Sequence, residues 1–266
     1  MIKLCVAGAT GRMGSTLIRE ALNRDFAVVG AIAAPEEPSI GKTLHELGIC
    51  NLDLKVSKPS EIENTAKNAD VYVSFTSPKA ELANLPIVAD MGKRIVVGTT
   101  GFTDQELASL KQYVAERVPA VFSSNFSIGI NFLLKMLKTL KTLPKEYDVS
   151  IVEAHHSGKK DAPSGTAHSI AKLISGLKGY RKMVHGREGI SLRKPEEIEV
   201  VSVRAGGIPG IHKVIVAGAH DMITVEHVAF SRNVFAQGAL YAAGWIMKQT
   251  KPDVYSMEDV LEDEQA

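Results

Sequence analysis

The sequence predicts an α/β protein whose first half is built on a parallel sheet and whose second half is a smaller, strand-rich unit. Three observations predict this. Over the first 126 residues short apolar runs alternate with helix-like stretches, the signature of βα units. A glycine-punctuated turn joins the first apolar run to the first helical one. The alternation then stops near Phe126, and strand-like runs at Ile198–Arg204, Lys213–Ala217 and Met222–Ala229 follow one another without intervening helices.

The chain opens with MIKLCVAGATGRMGSTLIREALNRD. Ile2 to Ala7 reads as a strand, and Leu17, Ile18, Ala21 and Leu22 have helical spacing. Between them Gly8, Gly11 and Gly14 form a GxxGxxG turn, which differs from the commoner GxGxxG by Ala9 and Thr10 at its second and third positions. Glycine lets the backbone approach a pyrophosphate, and the first amides of the helix direct free donors and a positive dipole end at it. By itself the turn also suits a bare strand-to-helix connection. Its context favours a dinucleotide, because FAVVGAIAA, DVYVSFTS, KRIVVGTTG and PAVFSSNFS continue the strands. PSEIENTAKN, ELANLPIVADM and TDQELASLKQYVAER are the helices between them. Three of these strands end in the polar turns FTS, GTTG and SSNFS, which are expected to flank a nicotinamide at the carboxyl ends of the sheet. Where an acid usually holds the adenosine ribose the chain reads AIAAPEEP. Ala33 and Ala34 occupy that position, with Glu36, Glu37 and Lys42 downstream, so both NADH and NADPH remain open.

In the second half, SSNFSIGINFLLKMLKTLK reads as a helix with apolar Ile130, Leu133, Leu134 and Leu137, and YDVSIVEAHH as a strand. Strand alternation places Val149, Ile151, Glu153 and His155 on one face, and Val152, Ala154 and His156 on the other. The strand runs into EAHHSGKKDAPSGTA, which gathers two histidines, two lysines, an aspartate and a Pro-Ser-Gly-Thr turn within fifteen residues. TAHSIAKLISGL then forms a helix with apolar Ala167, Ile170, Ala171 and Ile174. A buried core has no use for such a cluster, since imidazoles and ammonium groups lose hydration there. A site that binds an anion and moves protons does. A metal site using His155, His156 and Asp161 is the rival, but adjacent strand residues diverge and no HxH or HxxxH spacing is present. GALYAAGWIMKQ, Gly238 to Gln249, reads as a closing helix.

Composition limits the partners. Lys and Arg number 31 against 30 Asp and Glu, so no bulk field exists to attract nucleic acid or an anionic membrane. Cys5 and Cys50 read as reduced packing residues. With no leader-like segment and no apolar run of about eighteen residues, a cytoplasmic protein is expected. The acidic tail EDVLEDEQA reads as a solvated end.

GATGRMG, GTTG, SSNFSIG and above all EAHHSGKKDAPSGTA closely resemble the 4-hydroxy-tetrahydrodipicolinate reductase (dihydrodipicolinate reductase) family of lysine biosynthesis, and the resemblance runs nearly end to end. RAGGIPGIH and VEHVAFSRNVFAQGAL are similar to the family's later strands and the approach to its last helix. The resemblance implies a Rossmann-like parallel-sheet dinucleotide-binding domain over residues 1–126, completed by 237–266. It also implies a smaller α+β substrate-binding and oligomerisation domain with a mixed sheet over 127–236. A crevice that closes on cofactor and substrate, and a homotetramer, follow from it as expectations.

For the site, the resemblance implies that Gly8, Ala9, Thr10, Gly11, Arg12 and Met13, with Gly98, Thr99 and Thr100 and with Ser123, Ser124, Asn125 and Phe126, line NADPH or NADH. His155 and Lys159 would be catalytic, while His156, Gly165 and Thr166 would bind the carboxylates of a small dicarboxylate substrate. Loss of water, hydride addition at ring C4 and protonation by His155 at the neighbouring carbon would complete the reaction. No metal is implied. The chain departs from the family at Ala34 and Pro35, where many members carry an acid and an arginine, and at Ile211, where a glutamate is usual. Another amino-acid-pathway dehydrogenase acting on aspartate or homoserine, and a non-catalytic nucleotide sensor, are the alternatives.

Overall fold

The computed structural model describes residues 1–262. The last four residues of the acidic tail lie outside the described residues. Ile2–Ala7 (β1) turns into Arg12–Leu22 (α1), and Phe26–Ile32 (β2) follows. A 3-10 turn over Pro59–Glu61 leads to Ile62–Ala66 (α2), then Val71–Ser74 (β3), Pro78–Asp90 (α3), Arg94–Val97 (β4), Asp104–Ala115 (α4) and Pro119–Phe122 (β5). Next come Ile128–Leu137 (α5), Asp148–His155 (β6), Gly165–Lys178 (α6), Lys182–Val184 (β7), Glu197–Arg204 (β8), Ile211–Ala217 (β9) and Met222–Val228 (β10). Asn233–Ile246 (α7), Asp253–Tyr255 (β11) and Met257–Glu262 (α8) close the chain.

Two compact units result, Met1–Ile128 with Arg232–Ala266, and Gly129–Ser231. The first holds a six-stranded parallel sheet in the order β11-β5-β4-β3-β1-β2. Helices cover both faces, so the inner strands are apolar on both sides. Every residue of β3 and β5 is buried. Close backbone approach explains Gly238, where an added Cβ would stand 1.7 Å from the Phe126 carbonyl oxygen and force α7 off the β5–α5 loop.

The second unit is a mixed sheet in the order β10-β9-β6-β8-β7. β8 pairs parallel with β6 and β7, while β9 runs antiparallel to β6 and β10. β6 alternates as expected: Val149, Ile151 and Glu153 are buried, and Ser150, Val152 and Ala154 half-buried. Val149 and Ile151 share a core with Ala167, Ile170, Ala171 and Ile174 of α6. Glu153 therefore continues an apolar row, which makes it the member of β6 that needs partners.

The structure adds three short elements the sequence does not announce: β7, β11 and α8. Strands of three residues carry no measurable alternation, so only sheet pairing defines them. The closing helix starts at Asn233, five residues before Gly238. Among the described residues no helix is long and apolar enough to cross a membrane.

Candidate functional site

In the second unit a fully buried carboxylate, that of Glu153, gathers the polar side chains around it. Arg204, at the end of β8, sits opposite His155 in the parallel register and reaches Glu153 with both terminal nitrogens, at 3.0 Å to Oε2 and 2.7 Å to Oε1. Oε1 also accepts the Ser164 amide at 3.1 Å, and Oε2 lies 2.6 Å from His155 Nδ1. Burial works against the charge on Glu153. Hydrogen bonds from Arg204, Ser202, His155 and the Ser164 amide outweigh it and hold the carboxyl at about 2. An ionised carboxylate only accepts, so Nδ1 of His155 must carry the proton of that contact. Nε2 is the ring nitrogen that Glu153 does not engage. Burial lowers the His155 pKa from its ordinary 6.5, Glu153 opposes that, and Lys159 and Arg204 reinforce it.

Lys159 pairs with Asp161 at 2.8 Å, and its amide donates to the His156 carbonyl, which folds the loop after β6 into a turn. Arg204 Nη2 also donates to the Asp161 carbonyl at 2.6 Å, so one guanidinium fixes both the strand end and the loop. Gly165 and Thr166 open α6, whose cap Ser164 accepts the Ala167 amide at 3.2 Å. His155, His156, Lys159, Gly165 and Thr166 therefore belong to one strand–loop–helix segment tied together through Glu153. Three further participants come from elsewhere or from residues read only as strand: Glu153 itself, Arg204 and His212. The His212 ring packs edge-on against His155 with centroids 5.2 Å apart, and its Nε2 lies 3.1 Å from Ser164 Oγ. Burial, with His155 nearby, pushes His212 down to about 4. Its partner in sequence, Ile211, pairs with Ala154 of β6. Among the described residues no group of three His, Cys, Asp or Glu side chains is placed to hold a metal.

In the first unit the glycine turn lies between β1 and α1. Gly8 has φ +74°, and a Cβ there would stand 2.4 Å from the Phe75 carbonyl oxygen; one on Gly14 would stand 2.0 Å from the Gly8 oxygen. The bare backbone is a packing requirement as well as an opening. Gly11 caps α1 without a side-chain acceptor, and the first turn, which includes Arg12 and Met13, contains no acid. Such an uncapped and unopposed helix start fits the pyrophosphate of a dinucleotide. Ala9 is buried, and Thr10 is half-buried beside it.

Gly98, Thr99 and Thr100 follow β4, and Ser123 to Phe126 follow β5. Buried Glu81 ties the first of these turns to the one after β3, its Oε1 accepting from the hydroxyls of Ser74, Thr76 and Thr99. Burial raises the Glu81 pKa against those three donors. Ser123 Oγ bonds the Asn125 backbone, and Asn125 Oδ1 accepts the Ser127 amide at 2.8 Å. Phe126 is buried edge-on to Phe75 at 5.8 Å, so its side chain packs beneath the turn.

A parallel sheet with a bare glycine turn, and a separate imidazole backed by a buried carboxylate, define a class: the oxidoreductases built on a nicotinamide-dinucleotide fold. The comparisons narrow it. Residues 2–126 match the family model described as dihydrodipicolinate reductase, N-terminus, and residues 129–261 match the one described as dihydrodipicolinate reductase, C-terminus. A 4-hydroxy-tetrahydrodipicolinate reductase of Methanosarcina barkeri is 41% identical, covering 98% of this chain and 99% of the relative. One from Methanopyrus kandleri is 40% identical over 98% and 97%. A solved dipicolinate-bound dihydrodipicolinate reductase of Paenisporosarcina sp. TG-14 shares the fold, with a TM-score of 0.76 at 24% identity over 97% of this chain and 99% of that one.

The chain belongs to the dihydrodipicolinate reductase family. Its reaction is the reduction of 4-hydroxy-tetrahydrodipicolinate to tetrahydrodipicolinate with NADH or NADPH, a step of the diaminopimelate route to lysine.

Proposed function

We propose that the first unit holds the dinucleotide and that the second binds the dicarboxylate ring and supplies its proton, with His155 as the acid. The observation that carries this is the 2.6 Å contact between His155 Nδ1 and a carboxylate clamped by Arg204. The contact fixes the ring orientation and leaves Nε2 to serve the substrate. Loss of the ring hydroxyl as water would leave a conjugated imine, and a bound reduced nicotinamide would supply hydride to its C4. His155 Nε2 gives its proton to the neighbouring ring carbon and takes another from water, while Glu153 stays ionised throughout because its pKa is far too low to compete. Lys159, the second catalytic group, leaves Asp161 and sets its ammonium against the charge of the ring. His156 and the Gly165 and Thr166 amides receive the carboxylates.

Gly8, Ala9, Thr10, Gly11, Arg12 and Met13 cradle the pyrophosphate. Gly98, Thr99, Thr100, Ser123, Ser124 and Asn125 line the nicotinamide arm, and Phe126 supports the last turn from beneath. Exposed Met222, Ile223, Val228 and Phe230 on and beside β10 support a homotetramer formed through the second unit's sheet. The enzyme works in the cytoplasm.

Enzymatically generated 4-hydroxy-tetrahydrodipicolinate, aspartate and homoserine, each offered with NADH or NADPH, test the reading. Nucleotide oxidation with the ring substrate, lost in Lys159→Ala, is expected. Turnover linked to aspartate or homoserine alone, or no turnover at all, contradicts it.

A further inference from the structure

The chain lacks the acid that usually marks the end of β2, yet a cavity of about 460 Å³ lies there. Thr10 and Ser15, from the glycine turn and α1, line one part of it, and Ser39 and Lys42, from the segment after β2, line another. Ser39 is 7% exposed and its hydroxyl has no hydrogen-bond partner among the described residues, an arrangement that costs stability unless a ligand completes it. Two cations share the lining. Arg19 is fixed by its Nε to the Ile49 carbonyl at 3.0 Å, which leaves its outer nitrogens without a protein acceptor among the described residues. Lys42 is exposed and forms no salt bridge among the described residues, although its charge helps to lower the pKa of nearby Glu46. Glu37 is the one acid of the lining, exposed and outnumbered. Ala33 and Ala34 after β2 present no carboxylate to repel a phosphate.

We infer that this cavity seats a 2′-phosphate on Ser39, Arg19 and Lys42, so that the enzyme takes NADPH in preference to NADH. The inference rests on the reading that the first unit binds a nicotinamide dinucleotide. An ordinary NADH ribose diol gives the two cations nothing to neutralise, whereas a 2′-phosphate carries about two negative charges and accepts from both cations and the hydroxyl.

Calorimetric titration of the full chain with NADPH, NADH, 2′,5′-ADP and 5′-AMP tests it without turnover. NADPH is expected to bind about 10-fold or more tightly than NADH, and 2′,5′-ADP similarly above 5′-AMP. Lys42→Ala, at an exposed position, should weaken NADPH about 10-fold and leave NADH within about 2-fold. Ser39→Ala should act in the same direction. Equal affinity for the two nucleotides, or a Lys42→Ala variant that weakens both alike, overturns the preference while leaving dinucleotide binding intact. Failure of both nucleotides to bind overturns the underlying reading as well.

Discussion

His155 and Arg204 are partners across the parallel pairing of β6 and β8, and both converge on the buried carboxylate of Glu153. One charge therefore orients the His155 ring, and a second keeps that charge ionised. The pairing makes His155 sensitive to changes that never touch its ring. Glu153→Gln removes the influence that raises the His155 pKa and leaves burial, Lys159 and Arg204, which lower it. The alkaline fall in kcat should move to lower pH, with the His155 imidazole signal in an NMR titration moving alongside it. A profile unchanged by the substitution would show that Glu153 does not govern the acid.

Arg204→Met leaves the Glu153 charge buried and short of its main partner. At neutral pH this should cost about 3–5 kcal/mol of folding stability, the usual penalty for orphaning one member of a buried pair. The sign of the pH dependence is fixed. The folded-state pKa of Glu153, about 2, lies below its ordinary 4.5, so the stabilisation is present above 4.5 and fades as pH falls toward 2. Denaturant midpoints of wild type and variant should converge on acidification. A gap that persists undiminished at low pH would contradict this.

His212 titrates in an earlier window. Its ring is held neutral with a folded pKa of about 4 against an ordinary 6.5, so the unfolded chain takes up a proton first. That stabilisation is complete above 6.5 and is lost as pH falls through 4. In thermal melts His212→Gln should flatten the decline in Tm across this window. Parallel Tm curves for wild type and variant would count against it.

Gly210 lies against His155 Nε2. A Cβ at this position would stand 3.2 Å from His155 Nε2 and 3.9 Å from His212 Cε1, and its φ of +157° disfavours a side chain, so Gly210→Ala strains the turn and crowds the imidazole at Nε2. A displacement of a few tenths of an ångström should lower kcat about 10-fold while nucleotide affinity stays unchanged. Wild-type kcat in the variant would place the proton path elsewhere.

The legible parts of the molecule are those encoded over short spans. The glycine turn and α1, the alternation of β6, and the apolar stripe of α6 each fall within about twenty residues, where period and spacing suffice. The cluster holding His155 and Lys159 and the start of α6 also fall within such a span, while the roles of the two side chains rest on the family resemblance. Arg204 was not legible, because its meeting with Glu153 depends on the parallel register of β6 and β8, 51 residues apart in sequence. His212 arrives by the antiparallel pairing of β9 with β6. An alternating strand gave only a hint, since Glu153 shares a face with Val149 and Ile151 and so stood out as a charge in an apolar row. Glu81 was hidden for a different reason. It sits in a helix with ordinary composition, and only burial reveals that three hydroxyls converge on it.

The most direct measurement is single-turnover reduction of 4-hydroxy-tetrahydrodipicolinate by His155→Gln, with nucleotide binding followed separately on the same preparation. A rate lowered about 10²–10⁴-fold with unchanged nucleotide affinity is expected. A variant that reduces the ring at the wild-type rate would contradict His155 as the acid.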